Sequence, residues 1–359
     1  MEKLRFAVLG AGAGGQSMAA ILAHQGHSVR LYDIDADKIN RLNELGKIVV
    51  TGSIEATGSP DLITTDIEAA VEDVNVIMVV TTTDAHKDIA NKIASHLKDG
   101  QIIVLNPGHV GGAMEVAYTI RKIRGYMPNV VIGETNDLMY ACRVSKPGFP
   151  FHSGVKKRIG VATLPARNVD KLLNVVSPVF PCLIPAKNVL ETGFVGTGAM
   201  LHPIPSFMNV IRLDNNQPYD YYMEGITPSI ARLVTKADEE RLAVCKALGL
   251  NVPSLLETLQ NMYNLAHEDL YELLQHNKAY VGVKSPGGLN HRFMVEDVTC
   301  GLVPLASVGQ ELGIATPIMN AFIEIASVVS MRDFRQEGRT AEKLGLAGKT
   351  VEQIYESIS

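Results

Sequence analysis

Directly after the apolar run 4–9 the chain reads Gly10-Ala11-Gly12-Ala13-Gly14-Gly15, then passes at once into a segment of helical periodicity. A G-x-G-x-x-G match alone is a weak signal, but between a strand and a helix it specifies a dinucleotide-binding βαβ unit. Gly10 permits the tight turn, Gly12 lets the backbone approach a pyrophosphate, and Gly15 lets the helix pack close to the strand. Ala11 and Ala13 belong to the same turn, and the helix N-terminus offers N–H groups and a positive dipole end to phosphate. Asp33 closes the second apolar run about 20 residues further on, where a carboxylate can hold the ribose hydroxyls. It would repel a 2′-phosphate, and Ile34-Asp35 supply no arginine to receive one. NAD(H) is therefore favoured over NADP(H). The competing reading, a glycine-rich turn without a ligand, fits this context poorly.

The first half continues the pattern that the turn implies. Apolar runs at 4–9, 28–33, 76–81, 101–106 and 130–134 lack polar alternation, as buried parallel strands do. Amphipathic segments at 15–25, 35–44, 84–97 and 111–123 separate them, which predicts a Rossmann-type, doubly wound α/β sheet. Thr81 and Asn106 end two of these strands, facing the ligand crevice of such a sheet, and are further candidate cofactor contacts. Residues 140–165, broken by Pro147, Gly148, Pro150 and Gly154, suggest an antiparallel edge. A helix at 168–180 and a strand at 182–188 would close a first domain of residues 1–188.

From 189 to 359 only helical periods remain, at 189–213, 228–248, 253–263, 297–312 and 317–332. This predicts a second, all-α domain, with Pro228, Pro253 and Pro317 at helix starts.

A net charge of −5 excludes the dominant basic surface of a nucleic-acid binder. No apolar run reaches the roughly 20 residues of a membrane span. The four cysteines are too scattered for a disulfide framework or a CxxC metal site, so reduced thiols in the cytoplasm are expected. The basic start MEKLR before an apolar stretch has the outline of a secretory signal, but the glycine-broken run continues into a helix and is read as the first strand. No histidine shows metal-ligand spacing with Cys or Asp, and no metal is expected.

The second half resembles a known family. Gly198-Ala199-Met200-Leu201-His202-Pro203-Ile204-Pro205 is similar to the motif around the catalytic histidine of the opine dehydrogenases. Ile132-Gly133-Glu134-Thr135, Ala141-Cys142-Arg143 and Tyr221-Tyr222-Met223-Glu224-Gly225 carry the likeness further. So do Arg292-Phe293-Met294-Val295-Glu296-Asp297-Val298 and Phe334-Arg335-Gln336-Glu337-Gly338. The resemblance implies an α-helical domain of the 6-phosphogluconate dehydrogenase C-terminal type. It also implies NADH-dependent joining of an amino acid amine to a 2-oxo acid, two small-molecule partners. A homodimer is compatible with this reading.

By the same resemblance His202 is the proton donor, Asp297 orients its imidazole, and Arg292 binds the 2-oxo acid carboxylate. His109, after Asn106-Pro107-Gly108, is a candidate contact for the amino acid. Taken without the resemblance, His202 reads as a hydrogen-bonded core histidine, Asp297 as a helix N-cap and Arg292 as a surface ion pair. Arg292 and Asp297 are close enough for a turn and a helix start to aim both at one cavity. Ketopantoate and glycerol-3-phosphate reductases share the fingerprint but use a lysine early in the helical domain, and 191–206 contains none. The same His, Asp and Arg could also serve a simple 2-hydroxy acid dehydrogenase, and the fingerprint alone would suit a catalytically silent NAD sensor.

Overall fold

The computed structural model describes residues 3–359. The chain forms two compact units, one running to Gly193 and regaining Tyr355–Ser359, the other Phe194–Ile354.

The strands of the first unit are β1 (Arg5–Leu9), β2 (Ser28–Tyr32), β3 (Ile48–Gly52), β4 (Ala56–Gly58), β5 (Leu62–Thr64) and β6 (Val76–Val79). They continue with β7 (Ile102–Leu105), β8 (Val131–Thr135), β9 (Tyr140–Val144), β10 (Pro150–Val155), β11 (Ile159–Leu164) and β12 (Leu183–Pro185). Between them lie α1 (Ala13–His24), α2 (Ala36–Leu45), α3 (Ile67–Val71), α4 (His86–Ile93), α5 (Gly112–Arg124) and α6 (Val169–Val176). Eight strands make one sheet in the order β12-β11-β8-β7-β6-β1-β2-β5. From β2 to β8 its neighbours run parallel, and β6 and β7 are buried along their whole length, as their unbroken apolar sequences require. The chain leaves β1 towards β2 on one side and later fills β6, β7 and β8 on the other. The strand order thus reverses beside β1, where doubly wound sheets bind ligands.

The expected antiparallel edge divides in two. Strand β11 pairs antiparallel with β8 and parallel with β12. Strands β9 and β10 instead leave the main sheet for a second one, ordered β4-β3-β10-β9 and packed against α1. Strands β4 and β5, of three residues each, escaped the sequence reading because they are too short to show a period, and β3 escaped it as well.

Helix α7 (Val189–Phe194) ends at the boundary of the units, and α8 (Gly198–Leu201), α9 (Pro203–Met208) and α10 (Val210–Asp214) follow. One helix was expected over 189–213. Pro203 and Pro205 cannot donate backbone bonds, so the chain breaks there, and His202 lies at the break. Then come α11 (Pro228–Ala247), α12 (Leu255–Tyr263), α13 (Leu270–His276), α14 (Arg292–Asp297) and α15 (Val303–Glu311). The last helices are α16 (Pro317–Ser330), α17 (Phe334–Glu337) and α18 (Val351–Ile358). Pro228 opens α11 behind the Thr227 cap. Pro253 lies outside α12, which Ser254 and Glu257 start with a capping box. Among the described residues no helix is long and apolar enough to cross a membrane.

Candidate active site

In the first unit the glycine turn behaves as a phosphate cradle should. Gly10 has φ +106°, a conformation side chains rarely adopt, and a Cβ there would meet the Val80 carbonyl at 2.8 Å. A Cβ on Gly15 would lie 1.7 Å from the Gly10 carbonyl, so α1 can begin this close to the turn only with glycine. A Cβ on Gly12 would meet nothing within 4 Å. Open space therefore faces the backbone at Gly12, which leaves room for a pyrophosphate to approach.

Asp33, nearly buried at the end of β2, accepts from the Ala11 N–H at 2.6 Å and the Asp35 N–H at 3.0 Å. Lys38 also reaches it, with Nζ 3.1 Å from Oδ2. The residues next to Asp33 supply no arginine, but this lysine one turn into α2 brings a cation to the acid.

Beyond the sheet, Thr81 Oγ1 and Asn106 Nδ2 are buried and have no hydrogen-bond partner among the described residues. Asn106 Oδ1 accepts from Thr135 Oγ1 at 3.1 Å, which fixes the amide. Two orphaned polar groups at adjacent strand ends are what a bound dinucleotide would satisfy. The residues present therefore fit the cofactor.

His109 is half-buried, with φ +53°, in the loop from β7 to α5. Buried Glu134 holds that loop by accepting from the Ala113 N–H at 2.8 Å and from Thr192 Oγ1 at 2.7 Å. Glu134 stands in one of the family-like motifs, but nothing local in the sequence points to this bracing role.

In the second unit His202 and Asp297 come together, Nδ1 to Oδ2, at 2.9 Å. Both side chains are largely enclosed, at 16% and 3% exposure, and the carboxylate accepts from Nδ1–H. Three contacts fix the histidine. Its carbonyl accepts from Tyr221 Oη at 2.6 Å and from Ser206 Oγ at 2.7 Å. Phe293 lies flat on the imidazole, centroids 4.0 Å apart and planes within 9°. Gly198 makes room for the pair, since a Cβ there would stand 3.0 Å from Asp297 Oδ1.

Asp297 is not a helix N-cap. It is the last residue of α14, which His291 caps by accepting from the Phe293 N–H, and a π-helical turn (Val298–Leu302) follows. Arg292 and Asp297 are the two ends of this one helix, so an ideal geometry turns them about 140° apart. The turn and helix start expected between them are absent. Arg292 Nε leans towards Glu296 Oε2 at 3.6 Å, and its side chain is 56% exposed.

Sequence reasoning passed over His291, whose ring meets Phe293 edge-on at 4.7 Å. Burial, then the charges of Arg292 and His202, lower its pKa and keep it neutral. The surrounding phenols are no bases. Burial raises Tyr221 well above its ordinary value and carries Tyr219 to about 12.

Comparison with known proteins matches residues 185–330 to the α-helical domain of NAD/NADP octopine/nopaline dehydrogenase. Residues 5–108 match the N-terminus of NAD-dependent glycerol-3-phosphate dehydrogenase. The chain is 40% identical to an opine dehydrogenase of Arthrobacter sp. (strain 1C), covering 100% of this chain and 99% of that one. It is 25% identical to the protein ocs of Agrobacterium tumefaciens (strain Ach5), over 99% of both chains. A solved octopine dehydrogenase with NADH and L-arginine shares the fold, with a TM-score of 0.82, 22% identity and 98% coverage of each chain.

Proposed function

The chain belongs to the opine dehydrogenase family, and on that premise we propose that His202 and Asp297 carry out proton transfer in NADH-dependent condensation of an amino acid with a 2-oxo acid. The product is a secondary amine bearing two carboxylates, and the reverse oxidation uses the same groups.

The observation that carries this reading is the enclosed His202–Asp297 bond beneath Phe293. Attack of the amine on the carbonyl carbon gives a carbinolamine, and His202 Nε2 donates the proton with which its hydroxyl leaves as water. NAD(H), when bound, supplies the hydride that converts the resulting C=N bond to an amine. Asp297 holds the ring in the tautomer that serves Nε2 and balances its charge when it is protonated, as the acid of a hydrolase triad does. Arg292, with its exposed guanidinium, is assigned the 2-oxo acid carboxylate, which a planar fork binds through two parallel bonds. His109 is assigned the amino acid. Asp33, Thr81, Asn106 and the turn from Gly10 to Gly15 are assigned the cofactor. We place the enzyme in the cytoplasm, in keeping with four cysteines too few and too scattered for a disulfide framework.

The test is NADH oxidation across a matrix of amino acids and 2-oxo acids. Turnover that requires both substrates supports the assignment. Turnover with a 2-oxo acid alone would instead make the protein a 2-hydroxy acid dehydrogenase, and NADH binding without turnover would make it a sensor.

A further inference from the structure

We propose that His267, Glu272 and His276 form a surface site for one divalent transition-metal cation of the Zn²⁺ type, apart from the residues assigned to catalysis. The ligating atoms of the three side chains all lie within 4.8 Å of one another, the one such group among the described residues. Glu272 and His276 stand one turn apart on α13, so they share a helix face. His267 reaches them from the connector between α12 and α13. Its ring stacks on that of His276, with centroids 4.7 Å apart and planes within 19°.

The backbone under the group is well held. The His267 carbonyl accepts from Gln260 Nε2 at 2.7 Å. Asp269 caps α13 by accepting from the Glu272 N–H at 2.9 Å. His276 Nδ1 lies 2.8 Å from the Glu272 carbonyl and 3.5 Å from its carboxylate. The positions of the three residues are therefore set before any cation arrives.

The donor set selects the occupant. Calcium and magnesium take oxygen ligands, whereas two imidazoles and a carboxylate suit zinc and its first-row neighbours, with water in the fourth position. Bonds of about 2.0–2.2 Å around a tetrahedral ion place ligand atoms about 3.3–3.6 Å apart. The side chains must close by a modest rotation, and Glu272 and His276, at 49% and 59% exposure, have room for it. A bound cation would tie the α12–α13 connector to α13. It would act on stability and leave turnover alone.

The whole protein, stripped with a chelator, is dialysed against Zn²⁺ and its metal content measured. Wild type should hold one equivalent per chain, and His267→Ala/His276→Ala should hold none, with the loss of a ligand weakening binding by at least about 10-fold. Zn²⁺ should raise the melting temperature of wild type and leave that of the double variant unchanged. In chelator the two should melt alike and turn over NADH alike, which separates this site from the catalytic one. Equal zinc content in the double variant, or wild-type binding still unsaturated at about 1 mM Zn²⁺, overturns the proposal.

Discussion

Asp297 Oδ2 lies 2.9 Å from His202 Nδ1 although 95 residues separate them, and the two meet where one helix breaks and another turns π-helical. Removing the imidazole in His202→Ala should lower kcat by about 100- to 10,000-fold while NADH binding, followed by fluorescence, stays normal. Asp297→Asn should also lower kcat. The double variant should lose less than the product of the two, because the pair acts as a unit. Fully multiplicative losses would show that the residues work separately.

Phe293 supports the same imidazole from its face. Phe293→Leu keeps apolar bulk and loses the stack, worth about 0.5–1.5 kcal/mol, so kcat should fall roughly 2- to 10-fold. A change in the pH–rate profile should accompany it. Loss of stability with an unaltered profile would mark Phe293 as packing alone.

Asp33 should set the cofactor preference for NADH over NADPH. Asp33→Ala should weaken NADH by about 1.5–3 kcal/mol and narrow the gap to NADPH, measured from kcat/KM for each. Lys38 lies against this carboxylate, so the variant also exposes a cation to the 2′-phosphate. A native preference for NADPH would remove Asp33 from the ribose.

The assignment of Arg292 is tested by Arg292→Lys. A point charge cannot reproduce the two bonds of the fork, so kcat/KM for the 2-oxo acid should fall roughly 10- to 100-fold, equivalent to about 1.5–3 kcal/mol. The KM of the amino acid should respond far less. Unchanged 2-oxo acid kinetics would leave Arg292 as the Glu296 partner it is in the structure.

Stability should depend on two buried sites that carry no substrate. Arg241 is fully buried, donating to Asp238 at 2.7 Å and to the Pro253 carbonyl at 2.9 Å. Breaking such a pair strands a buried charge, so Arg241→Ala should cost about 3–5 kcal/mol in urea unfolding.

His152 is buried with no hydrogen bond to either ring nitrogen among the described residues, and burial lowers its pKa below the ordinary 6.5. The unfolded chain therefore takes up the proton first as pH falls through 6.5, and stability drops from there towards the folded pKa. His152→Leu should reduce the stability lost between about pH 7.5 and 5, and an unchanged acid slope would assign that loss elsewhere.

The sequence by itself determined what rests on neighbours in the chain. Five apolar runs became parallel strands because a doubly covered sheet needs unbroken hydrophobicity. Gly10 and Gly15 specified the turn because a side chain at either would run into backbone, and Gly12 keeps the space in front of it open. Pro228 marked the start of α11 for an equally local reason.

Tertiary structure decided everything that depends on partners distant in sequence. Strands β9 and β10 left the main sheet because pairing, which propensity does not encode, took them to β3 and β4. Asp238 and Arg241, spaced like a surface ion pair, lie on the buried face of α11, where Arg241 also reaches the Phe194 and Pro253 carbonyls. His267 meets Glu272 and His276 only through the bend between α12 and α13. Asp297 looked like a helix cap and proved to be a helix end, where it meets His202 from a distant part of the chain. Periodicity reports the face a residue takes, whereas only the folded chain reports what lies across from it.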